Sequence, residues 1–203
     1  MQKTSAAAPI GFLTGLFFIS GIAGLIYQVA WQRVLFAAFG SDLESVTIVV
    51  SAFLLGLGVG ALTGGRLADR FPDRTLALFC GLEAGIGLYG VASFRLMKWT
   101  GDVFVSSPLP MIAATNFLLI LAPALFMGAT LPVLVAHAAR CWGNVGRATG
   151  HLYAANTFGA ALGALGTAFV LFHHLPLDAA ILLAAGINFL VAVLAGLGLR
   201  SFA

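Results

Sequence analysis

Apolar residues along this chain fall into six blocks, separated by short breaks that hold most of its arginine and aspartate. The blocks run from about 10 to 30, 46 to 65, 75 to 96, 109 to 136, 148 to 172 and 177 to 199. A helix rises about 1.5 Å per residue, so blocks of about 20 residues cross a hydrocarbon core roughly 30 Å thick. In lipid a lone segment must satisfy its own backbone polar groups, which selects the helix. The pattern predicts an all-α polytopic membrane bundle of six transmembrane helices, forming one domain over 1–203. Asp42 and Glu44 precede the second block and Asp178 opens the sixth, where the positive end of a helix dipole favours acids. The first block ends in Tyr27, Gln28, Trp31 and Arg33, residues suited to the headgroup layer. Residues 31–39 are expected to form a short surface helix ending at Gly40. Pro123 and Pro132 predict a kink or break in the fourth block.

Composition narrows the classes further. The chain is 61% hydrophobic and 8% charged, against about 45–50% and 25% in soluble domains. So few charges exclude a soluble globular domain, a disordered tail and a nucleic-acid binder. The ten basic residues sit at block ends. Lys3, Arg66, Arg70, Arg74, Arg140, Arg147 and Arg200 fall on one side, and Arg33, Arg95 and Lys98 on the other. Seven against three places both termini in the cytoplasm, with the chain multi-pass in the cell inner (cytoplasmic) membrane. The start, MQKTSAAAP, leads into an apolar run without a clean cleavage motif, so it is read as the first span.

Little in the sequence suggests catalysis. Cys80 and Cys141 make no CxxC pair, and His137, His151, His173 and His174 flank the blocks without ligand spacing. There is no P-loop, no strand followed by GxGxxG and no Ser/His/Asp arrangement. No catalytic residue, metal or cofactor is expected. Glu83 is the sharpest polar feature. It lies nine residues beyond Arg74, roughly 13 Å into the bilayer, where an acid faces the bundle interior or a wet cavity. It is either a group that takes a proton or a cationic substrate, or a hydrogen-bonded structural acid. Asn116, Asn156 and Asn188 lie within the fourth, fifth and sixth blocks. Each is interhelical glue or, with Glu83, Gln28 and Tyr153, part of one polar pocket. Gly56, Gly60 and Gly64 stand four apart, as do Gly159 and Gly163, and Gly81 and Gly85. Such small-residue stripes let helices approach in lipid, where no hydrophobic drive pulls them together.

Two sets of motifs carry resemblances. GGRLADRFPDR, residues 64–74, is similar to the loop signature of the major facilitator superfamily. Gly65, Leu67, Ala68, Asp69, Arg70 and Arg74 fit it, while Pro72 and Asp73 stand where glycine and a basic residue are expected. The resemblance implies that Asp69, Arg70 and Arg74 tie helix ends on the cytoplasmic face and latch one conformation. The second set is SGIAGLIYQVAWQRVLFAAFGS (20–41), LEAGIGLYG (82–90), MGATLPVL (127–134) and GRATGHLYAANTFGAALGA (146–164), in that order. Together these resemble the membrane domain of bacterial spermidine synthase-like membrane proteins, fused facilitator/spermidine synthases. Gln28 departs from the glutamate common there. The resemblance implies half of a major facilitator fold. That family continues into a soluble aminopropyltransferase domain with no counterpart in this sequence, which argues against autonomous catalysis.

The expected function is an accessory or scaffold subunit that packs into a larger membrane complex or recruits a soluble partner. The alternative is a half-size transporter or binding bundle for a small organic cation such as a polyamine, working as a homodimer. The expected partners are the lipid bilayer and other membrane subunits or a second copy, with no nucleic acid.

Overall fold

The computed structural model describes residues 10–39, 42–104 and 106–202. Lys3 and Gly40 lie outside the described residues, as does the side chain of Arg200. Six long helices make up most of the described residues: α1 Ile10–Phe39, α2 Asp42–Arg70, α3 Thr75–Val103, α4 Leu109–Trp142, α5 Val145–Gly166 and α6 Leu177–Phe202. A single 3₁₀ turn, Pro72–Arg74, joins α2 to α3, and α5 continues through a π turn, Thr167–Leu171, into Phe172–His174. No strand occurs among the described residues. Each of the six carries a span long and apolar enough to cross a membrane, from Gly11–Phe36 to Leu177–Gly198. The helices outrun the apolar blocks because their ends continue into headgroup depth; α4 alone has 34 residues.

Two expectations are corrected. The first span does not stop near Ala30 with a separate surface helix behind it, since α1 runs unbroken to Phe39. Tyr27 and Trp31 do not sit at an interface either; both are 0% exposed. Their rings stack at 4.9 Å, and the Trp31 indole N–H donates to Ser93 Oγ at 3.1 Å. A partner for the indole inside the bundle removes the reason for it to seek the headgroups. α4 runs through both prolines as one helix. Pro123 lacks the N–H that would bond the carbonyl of Leu119, and Tyr89 of α3 donates its hydroxyl to that oxygen at 2.5 Å.

The tightest neighbours are α1 with α5, α2 with α4, and α3 with α6. Exchanging the first three helices for the last three maps this pairing onto itself, as expected of two three-helix repeats. Glycine permits the two closest crossings. A Cβ on Gly60 would run into the Leu125 carbonyl of α4, and one on Gly159 into the Phe18 carbonyl of α1. Gly56 and Gly64 face Ala124 and Ala129 in the same way, and Gly163 faces Ile22. Gly81 differs: nothing lies within 4 Å of where its Cβ would be, so it packs no helix. Gly143, at φ 68°, ends α4, and the Asn144 side chain caps α5 by accepting from the Arg147 N–H at 2.8 Å.

Candidate functional site: a polar cavity at mid-bundle

Ser20, Gly24 and Gln28 recur every fourth residue of α1, so they form one stripe. That stripe walls a cavity of about 110 Å³, completed by Thr130 of α4, Asn156 of α5 and Asn188 of α6 among the apolar side chains of Leu25, Phe53, Leu57, Ile86 and Met127. Gly24 leaves space unfilled on the α1 side, while Gly21 lets α1 close against the Asn156 carbonyl of α5.

Glu83 is not on the wall. It is 0% exposed and lies behind it. Its two carboxyl oxygens accept from Ser20 Oγ at 2.6 Å and from Asn188 Nδ2 at 2.7 Å. Both donors belong to the cavity lining, so the acid reaches the cavity through them. A buried carboxylate needs such donors, since stripping it of water is costly without them. Asn188 is 2% exposed, and its Oδ1 has no hydrogen-bond partner among the described residues. Asn156 gives its amide N–H to the Phe17 carbonyl at 3.1 Å, and Thr130 gives its hydroxyl to the Met127 carbonyl at 2.6 Å.

The structure thus brings Gln28, Asn156 and Asn188 to one cavity with Glu83 behind it. It does not bring Asn116 or Tyr153 there. The Asn116 amide returns to its own helix, donating to the Ile112 carbonyl at 2.9 Å. Tyr153 is 60% exposed on the outer side of α5. Ser20 and Thr130 belong to the site, and sequence reasoning passed over both. The i, i+4, i+8 spacing of Ser20, Gly24 and Gln28 in an otherwise apolar block was the available signal.

The loop motif lies at one end of the bundle. Asp69, Arg70 and Arg74 are exposed, with Gly65 half-buried behind them. Arg70 lies 5.7 Å from the centre of the Phe71 ring, and Asp69 forms no ion pair among the described residues. The tie between this loop and its neighbour is made by the next residue. Thr75 is buried, accepts from Arg140 of α4 at 2.6 Å and bonds His137 Nδ1 at 3.2 Å. Among the described residues no group of three or more His, Cys, Asp or Glu side chains converges as metal ligands do.

The profile of the Major Facilitator Superfamily matches residues 10–201. The chain belongs to this superfamily. As a facilitator-family, multi-pass membrane protein, it has the six-helix bundle of half such a fold. It is 29% identical over 190 residues to polyamine aminopropyltransferase 2 of Streptomyces coelicolor, covering 90% of this chain and 33% of that protein. It is also 29% identical to the polyamine aminopropyltransferase of Corynebacterium efficiens, over 88% of this chain and 33% of the relative. The chain therefore spans about a third of the length of these curated relatives. A triacylglyceride transporter of Mycobacteroides abscessus is 31% identical over 111 residues, 51% of this chain and 21% of the relative. No solved structure matches it.

Proposed function

We propose that this chain is a facilitator-type solute-binding module that lines one half of a path across the membrane, completed by a second six-helix unit. The observation carrying this reading is the cavity, where polar groups from α1, α4, α5 and α6 meet inside an apolar bundle. Polar side chains are expensive at that depth, and in transporters built from repeats they gather where substrate binds. The second unit is a second copy of the chain, as in a two-fold homodimer. The membrane is the cytoplasmic membrane, with both termini in the cytoplasm, because Arg66, Arg70, Arg74, Arg140 and Arg147 gather at one end of the bundle.

Gly24 provides a direct test. Nothing lies within 4 Å of the position of its Cβ, and it lines the cavity. Gly24→Leu therefore starts its side chain in open space at the cavity wall. In proteoliposomes holding the chain, uptake of 1,4-diaminobutane is expected for the wild type and lost in Gly24→Leu at unchanged folding. Equal uptake by the two, or none above empty vesicles, would discard the reading.

A second reading is a membrane scaffold for a soluble enzyme. It is favoured by the two relatives named for aminopropyl transfer, whose match falls on this bundle. Co-purification of a soluble transferase with the chain, in the absence of uptake, would select it.

A further inference from the structure

We infer that the cavity is built to receive a cationic hydrogen-bond donor, an ammonium group, and that Glu83 enforces this without touching it. The inference rests on the solute-binding reading and concerns the direction of each hydrogen at the wall.

Ser20 has one hydroxyl hydrogen, and it is directed at Glu83. What remains on Ser20 Oγ is lone pairs. The Thr130 hydroxyl hydrogen goes to the Met127 carbonyl, so its oxygen too is left as an acceptor. An amide is planar, with oxygen and nitrogen on opposite sides. Asn188 turns its nitrogen to Glu83, so its oxygen faces away from the acid, and that oxygen has no partner. Asn156 turns its nitrogen to the Phe17 carbonyl, which likewise frees its oxygen. Ser20 and Thr130 thus turn their hydroxyl hydrogens elsewhere, Asn156 and Asn188 each turn an amide nitrogen away and leave an oxygen as acceptor, and the Gln28 amide on the same wall brings both an oxygen and an NH₂. An orphaned, nine-tenths-buried acceptor such as Asn188 Oδ1 is costly unless something donates to it. A neutral solute with hydroxyl groups satisfies such a wall only in part, and an anion meets lone pairs against lone pairs. An ammonium group carries donors and no acceptor, and the carboxylate directly behind the wall adds attraction.

Glu83 is a positioning residue here. A carboxylate only accepts, so it fixes which way Ser20 and Asn188 point. Glutamine at the same place would bring an NH₂ that also needs an acceptor. Ser20 or Asn188 would then reverse and present a donor to the cavity.

The test uses four-carbon solutes matched in length: 1,4-diaminobutane, butane-1,4-diol and butanedioate, with sodium chloride as a fourth arm. Each is titrated against the full chain in nanodiscs, reading thermal stabilisation. The diamine is expected to bind the wild type about tenfold or more tighter than the diol, a difference of about 1.4 kcal/mol, with no binding of butanedioate. Glu83→Gln is expected to bring the diamine-to-diol ratio close to one. A merely structural role would shift the unliganded midpoint and leave that ratio unchanged. Should Glu83→Gln not fold, Ser20→Ala and Ser20→Thr carry the test: the first is expected to weaken the diamine, and the second, retaining the hydroxyl, to restore it. A Glu83→Gln protein with an intact ratio overturns the proposal, as does a wild type that prefers the diol or butanedioate; in that last case the solute-binding reading stands. Stabilisation by sodium alone, competing with the diamine, would replace the ammonium group with a metal cation. Silence of all four solutes together with Gly24-insensitive uptake would remove both readings.

Discussion

Asn116 and Asn188 read alike in the sequence, each an amide inside an apolar block, and they stand in different chemistry. Asn116 satisfies a carbonyl of its own turn, so its removal strands no other side chain. Asn188 holds a carboxyl oxygen of Glu83, 105 positions away in the chain. Asn116→Leu is expected to change stability by less than about 1 kcal/mol, in the range of ordinary polar contacts in membranes. Asn188→Leu leaves Glu83 short of a donor, and hydrogen bonds to charged groups are worth about 1.5–3 kcal/mol. Thermal midpoints of the two variants in one detergent check the contrast; equal losses would refute the distinction. The residue types that matter were therefore legible, and their partners were not. Composition and depth single out Glu83, but nothing in a linear sequence shows that Ser20 and Asn188 stand between it and the cavity. The stacked Tyr27 and Trp31 show the same limit. Aromatic residues near a span end suit a headgroup layer, and only the position of Ser93 on α3 reveals that the Trp31 indole is satisfied inside.

Helices in lipid are held by fit, so the value of a glycine depends on what faces it. The four-residue spacing of Gly56, Gly60 and Gly64 matches that of Gly81 and Gly85, yet the surroundings differ. Gly60 is buried against the backbone of α4, whereas Gly81 is exposed with open space beside it. Gly60→Ala must push α2 from α4, and such overpacking costs about 1–3 kcal/mol. Gly81→Ala meets nothing and exchanges the weakest ordinary helix former for the strongest, a gain of up to about 1 kcal/mol. Opposite shifts in unfolding midpoint are expected, and a loss at Gly81 equal to that at Gly60 would contradict the assigned faces. Spacing alone shows that a stripe exists; which stripe meets a helix is set by the rotation of each helix about its axis. The prolines of α4 were legible in the same partial way. Their effect on the local hydrogen-bond ladder follows from the residue, but the satisfaction of the carbonyl freed by Pro123 depends on Tyr89 of a neighbouring helix.

At the scale of the molecule, the six spans were written in block length and composition, because the bilayer sets one length for every crossing. The helix pairing was not, since it depends on long-range fit. Its consequence is directional. Six successive crossings place the connections at Phe71–Arg74 and Gly143–Asn144 on one end, and those at 106–108 and 175–176 on the other. The end that carries Arg66, Arg70, Arg74, Arg140 and Arg147 also carries the Thr75–Arg140 tie. Basic residues resist transfer across the membrane, so this end is expected in the cytoplasm. The chain has only two cysteines, both free, so a background with Cys80→Ala and Cys141→Ala is simple to make. Single cysteines at Asp73 or Val145 should then react with an impermeant maleimide only after the cells are opened. Cysteines at Ser106 or Leu175 should react in intact cells. Labelling of Asp73→Cys and Leu175→Cys from the same side would break the antiparallel succession of the six helices. The reverse labelling of all four would keep the bundle and invert it, which would also put Asp69, Arg70 and Arg74 on the wrong face for a cytoplasmic latch. The cavity lies between these two ends, so either result decides from which compartment a solute first meets Gln28, Asn156 and Asn188.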